Sequence, residues 1–116
     1  MWFDTTDEVL YLEFIRDYLE SDVPWIKQNM IDMLEGKPFR QLVIIMSKTH
    51  KVENRKTREK SNAIFVEADI KEVAFVGGSA ANRMIAKVLL KTGALKTQGN
   101  FFGKTEDAVK WLKSKR

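Results

Sequence analysis

Cysteine is absent from the chain. That removes disulfide scaffolds, thiolate metal sites, iron–sulfur clusters and cysteine nucleophiles together. Histidine occurs once, as His50, so a metal site would have to be rich in carboxylates and a histidine relay has one possible centre. No apolar run approaches the roughly 18 residues that a membrane-spanning helix requires. The acidic N-terminal stretch also lacks the basic flank of a signal peptide, which makes the cytoplasm the expected compartment. Neither an internal repeat nor a low-complexity tract is present. The two prolines and six glycines fall where elements would end.

What remains is the composition of an ordinary globular protein. The 116 residues are 44% hydrophobic and 31% charged, enough for one core and one domain over residues 1–116. The net charge of +4 conceals a gradient. Through Ser47 there are nine acidic and four basic residues; from Lys48 onward there are seven acidic and sixteen basic. A basic second half suits nucleic acid, an acidic partner or an anionic surface, and equally a solvated face that complements the first half.

Patterning divides the chain into alternating strands and helices. Trp2 to Asp4 and Val9 to Phe14 form a hairpin around the polar turn Asp4-Thr5-Thr6-Asp7-Glu8. Leu10, Leu12 and Phe14 alternate with Tyr11, Glu13 and Ile15, which predicts one apolar face for the second strand. Asp22 caps a helix with Pro24 in its first turn and a core stripe of Val23, Ile26, Met30, Met33 and Leu34. Gly36 and Pro38 end it. The continuous run Leu42-Val43-Ile44-Ile45-Met46 predicts a central strand buried on both faces. A second helix runs from about Asn54, its cap, to Glu67, with Thr57, Ser61, Ile64, Phe65 and Ala68 on its weak stripe. Val73 to Val76 is the next strand. Ser79 then caps a helix from about Ala80 to Thr92 whose core face is Met84, Ile85, Val88 and Leu89, with Gly93 stopping it. Asn100 to Phe102 is a short last strand. A final helix is capped by Thr105, packed by Ala108, Trp111 and Leu112, with acids in its first turn and bases in its last. The order β-β-α-β-α-β-α-β-α implies an α/β layer structure on a mixed sheet.

Chemistry-bearing motifs are few. Gly77-Gly78-Ser79 joins a strand to a helix start, where backbone N–H groups can contact an anion or other ligand; no GxGxxG pattern or P-loop lysine accompanies it. A tight strand-to-helix turn demands the same residues. The stretch Lys48 to Lys60 carries six basic and two acidic residues but no interleaved aromatic other than His50. That argues against nucleic acid and for a solvated loop and helix face. Asp4, Asp7 and Glu8 could gather a hard cation, although aspartate is common in such turns for conformational reasons. No serine has a GxSxG context. Trp2, Trp25 and Trp111 suit core or interface anchors. No catalytic constellation emerges, and neither a cofactor nor a metal is expected.

Three stretches resemble one family. QLVIIMS followed by a helix beginning NRKTRE, then EVAFVGGSAANRMIAKVLL, then FFGKTEDAVKWL are similar to STAS-like proteins, the group of sulfate-transporter domains and anti-sigma-factor antagonists. The similarity is greatest to a small bacterial branch and over Leu42 to Leu112. It implies a mixed sheet of four or five strands backed by helices, and a non-enzymatic regulatory module that binds a protein partner or a second copy of itself. The partner-facing surface it implies includes Lys51, Asn54, Arg55 and Arg58. In the antagonists a phosphorylatable serine starts the helix after the central strand. Here that place is held by Asn54, which can cap the helix but cannot be phosphorylated. A second expectation is a small-ligand or lipid-binding domain, lined by the apolar helix from Ala80 to Leu90.

Overall fold

The run of apolar residues in the middle of the chain becomes the middle of the sheet. In the computed structural model, which describes residues 1–46, 51–81, 83, 84, 87 and 97–116, strand β3 (Gln41–Met46) lies between β2 (Val9–Glu13) and β4 (Glu72–Gly77). The edges are β1 (Trp2–Asp4) and β5 (Gln98–Phe102), and the strand order is β1-β2-β3-β4-β5. β1 pairs antiparallel with β2, as a hairpin must, and every other pairing is parallel. The protein is thus α/β, with a five-stranded mixed sheet backed by helices.

Parallel neighbours need crossovers. Helix α1 (Val23–Leu34) connects β2 to β3, and α2 (Arg55–Glu67) connects β3 to β4. Both crossovers step one strand in the same direction, so both helices share a face. They cover it with Val23, Ile26, Met30, Ile64 and Phe65 against Leu10, Leu42, Ile44, Val73 and Phe75. Helix α3 (Thr105–Ser114) covers the other face, placing Ala108 and Leu112 on Val9, Tyr11, Val43, Ala74 and Val76. The second strand is therefore buried on both faces, Tyr11 included, and not on one face as its alternation implied. Trp2 stacks on Tyr11 at a centroid distance of 5.1 Å.

Two capping expectations change. Asp22 makes no side-chain cap to α1; its Oδ2 accepts from the Leu19 amide at 2.8 Å and so closes the short 3-10 turn Glu20–Asp22. Thr105 is the first residue of α3, Lys104 takes the cap position, and no side-chain cap forms there. Of the helix expected from Ala80, the described residues Ala80, Ala81, Arg83, Met84 and Lys87 are helical. Met84, placed on the core face by periodicity, is 67% exposed. Ile85, Val88, Leu89 and Gly93 lie outside the described residues.

Buried polar groups tie the layers together. Gln41 is 1% exposed, and its Nε2 donates to Glu72 Oε1 at 2.9 Å and to the Leu112 carbonyl at 2.8 Å. Its oxygen accepts from Arg116 Nε at 3.1 Å, and the Arg116 guanidinium sits 4.0 Å from the Phe39 ring centre. One amide thereby anchors the end of α3 to the start of β3.

Candidate functional site

Because β2, β3 and β4 are parallel, their C-terminal ends open on one end of the sheet, its C-terminal edge as distinct from the edge strands β1 and β5, the usual place for function in open α/β sheets. Residues 14–22 leave β2 there, 51–54 lead into α2, and 77–79 leave β4.

The first two segments are bolted together. Tyr18 N donates to the Lys51 carbonyl and Glu53 N to the Tyr18 carbonyl, each at 2.8 Å. Lys51 N donates to Asp17 Oδ1 at 2.8 Å, and Glu20 N to Glu53 Oε2 at 2.6 Å. The buried Tyr18 phenol donates to Ser61 Oγ at 3.0 Å, and burial pushes its pKa up. Lys60 and Lys56 both face Glu20 Oε1, at 2.7 and 3.7 Å, and the Lys60 bond holds that carboxyl below its ordinary range. Glu20, Ser21, Glu53 and Lys60 line an open polar hollow between the two segments.

The expected partner-facing residues all fall on this edge. Lys51 is exposed beside Asp17, and Arg55 is exposed and paired with Glu59 at 3.0 Å. Arg58, half-buried, follows one turn along α2. Asn54 caps α2, its Oδ1 accepting from the Thr57 amide at 2.8 Å and the Thr57 hydroxyl at 2.9 Å. Thr57 is fully buried, so its hydroxyl already has its partner and faces no solvent. Ser47, Lys48, Thr49 and His50 lie outside the described residues.

The glycine turn has a packing reason of its own. Gly77 (φ 77°) and Gly78 (φ 87°) occupy the left-handed region. A β-carbon on Gly77 would lie 2.8 Å from the Met46 carbonyl oxygen, and one on Gly78 would meet the Met46 side chain. Arg83 folds back over this turn, Nε donating to the Gly77 carbonyl at 3.0 Å, while the Ser79 carbonyl accepts from the Arg83 amide. Asp7, considered for a cation, accepts instead from Lys113 Nζ at 2.6 Å, and that bond holds its carboxyl below the usual range. Among the described residues no group of three potential metal ligands is present, and no helix is long and apolar enough to cross a membrane.

Sequence reasoning named Trp25 as a core or interface anchor but missed Ile15 and the hollow that the two line at this edge. Ile15 is 87% exposed and Trp25 is 57% exposed. With Met1, Phe14, Leu12 and Ile26 they line an apolar hollow of about 220 Å³ where β2 runs into α1. Phe14 leans on Tyr18, ring centres 5.0 Å apart. One signal was available: on the helix wheel Trp25 lies opposite the stripe of Val23, Ile26, Met30 and Leu34, and an off-stripe tryptophan calls for a second surface.

No family model, curated protein or solved structure matches this chain.

Proposed function

We propose that this chain is a non-enzymatic, STAS-like protein-interaction module of the cytoplasm, acting through the sheet edge where β2, β3 and β4 end. The observation that carries this reading is the pair Ile15 and Trp25. Ile15 is held in water there on a segment pinned by Tyr18, Asp17 and Glu20 to the loop before α2, and Trp25 stands exposed beside it in the first turn of α1. Rigid, exposed aromatic and aliphatic anchors are what partner recognition uses, because little entropy is lost when they are covered. The neighbouring Lys51, Arg55 and Arg58 extend the same surface with positive charge. The phospho-serine switch of the antagonists is not part of the proposal: Asn54 holds the cap and the Thr57 hydroxyl is buried against it.

Photo-crosslinking in the natural host tests this reading. A crosslinking residue at position 15 or 58 should trap a discrete protein, or a second copy of the chain. The same residue at position 110, exposed on α3 on the other face, should not. Turnover of a small substrate by the purified protein, abolished by substituting Ser79 or His50, would overturn it.

A further inference from the structure

An open sheet ends in two lateral strands, each turning backbone N–H and C=O groups away from any neighbour. β1 and β5 hold those places here. β1 has three residues, and shortness is itself a protection; β5 has five. The free side of β5 follows from its pairing. Gln98 N donates to the Lys71 carbonyl at 2.9 Å, and Gln98, Asn100 and Phe102 lie opposite Glu72, Ala74 and Val76. In a parallel ladder the backbone groups of alternate residues turn to the same neighbour. Gln98, Asn100 and Phe102 therefore face β4, while Gly99 and Phe101 turn their N–H and C=O outward. The outward Phe101 N–H has a partner all the same. It donates to Asn100 Oδ1 at 2.8 Å, on an exposed side chain one residue away.

That bond is not what places Phe101. Its ring does so, stacked on Phe75 with centres 5.0 Å apart against the core under α1 and α2. The bond instead governs what can approach. Two copies of β5 could lie antiparallel about a two-fold axis at Asn100, with Gly99 of each opposite Phe101 of the other. In that register the outward residues would exchange N–H···O=C bonds, and both Phe101 amides would be needed as donors. Asn100 Oδ1 already occupies them. Displacing it would also set two amide side chains against each other at the closest cross-strand spacing. We propose that Asn100 is a guard on the free side of β5, keeping two copies of the chain from joining into one continuous sheet. The guard stands apart from the partner reading above, since it concerns β5 and not the end of the sheet where Ile15 and Trp25 stand.

Two variants test it. Asn100→Leu removes the acceptor at nearly the same size, and Asn100→Asp keeps it. In dilute solution, hydrogen exchange at the Phe101 amide should speed about fivefold in Asn100→Leu and change less than about twofold in Asn100→Asp. In light scattering, the concentration for half-association of Asn100→Leu should lie at least about tenfold below that of the natural chain, with Asn100→Asp following the natural chain. In the associated form the Gly99 and Phe101 amides should both become protected, as strand pairing requires. Unchanged Phe101 exchange in Asn100→Leu overturns the inference, as does an Asn100→Leu chain that associates no more readily than the natural one. Association that leaves both amides open overturns it too, because a new apolar contact then explains the effect. The natural chain gives a check that needs no variant: corrected for intrinsic rates, Phe101 should exchange more slowly than Gly99, and the reverse order refutes the guard.

Discussion

The carbonyl oxygen of Met46 lies 2.8 Å from where a β-carbon on Gly77 would sit. The ends of β3 and β4 approach so closely there that only glycine fits, and its φ of 77° adds a second requirement for it. Gly77→Ala should therefore destabilise the fold by about 2–3 kcal/mol, because a backbone atom cannot yield. Gly78→Ala meets the flexible Met46 Cε at 2.8 Å and the Met46 Cβ at 3.1 Å but no backbone atom, and with its φ of 87° should lose less, about 1–2 kcal/mol. Urea unfolding of the two variants separates them; equal losses would contradict this account.

Asn54 stabilises α2 twice over, through the Thr57 amide and the fully buried Thr57 hydroxyl. Asn54→Ala should lose about 2 kcal/mol, the cap plus part of the burial of an unpartnered hydroxyl. Asn54→Asp keeps an acceptor in place and should stay within about 0.5 kcal/mol of the natural chain by thermal unfolding.

Arg40 joins the C-terminal ends of two helices. Its guanidinium donates to the Leu34 carbonyl at 2.8 Å and also to the Ala68 carbonyl. A lysine ammonium is a single point of charge and cannot span both. Arg40→Lys and Arg40→Ala should both lose about 2 kcal/mol in denaturant titrations, with little rescue by lysine.

Acid stability follows from four carboxyls, the most exposed of them Asp69, held below its ordinary value by Lys71. The other three, Asp7, Glu20 and Asp22, are held below their ordinary values of 3.8, 4.5 and 3.8, chiefly by Lys113, Lys60 and Arg16. A depressed folded-state pKa gives stability that is complete above the unfolded value and is lost as pH falls through the folded one. The melting temperature should be level between about pH 7 and about pH 5 and fall below about pH 4. Salt should blunt the loss, since these pairs are largely exposed. Tyr18 acts at the other extreme. Burial raises its phenol above 10.0, so its contribution is whole below that value and disappears as pH rises through the raised one.

The exposed anchors should be free of any folding role. Ile15→Ser, at a position 87% exposed, should change unfolding free energy by less than about 0.5 kcal/mol. A loss several times larger in denaturant titration would mean that Ile15 is held by the fold and is not a spare contact.

The layer order, the central strand Gln41–Met46, the cap at Asn54 and the stripes of α1 and α3 were legible in the sequence. Each depends on period and local hydrogen bonding, and those act over a few residues. Residues far apart in sequence decided the rest. Tyr11 is buried because α3, about a hundred residues later, covers the second face of β2. Asp22 turns to Leu19 because Arg16 and the 3-10 turn compete for it. Met84 has helical spacing for the core yet faces solvent. For the glycine pair, spacing admitted both a ligand contact and a tight turn, and only the approach of Met46 supplied a packing reason. The sequence by itself determined which residues prefer to leave water and where Asn54 caps α2, since those are properties of short segments. Tertiary structure alone decided which apolar residues stay in water, because Ile15 and Trp25 are left over only after every neighbouring element has been placed.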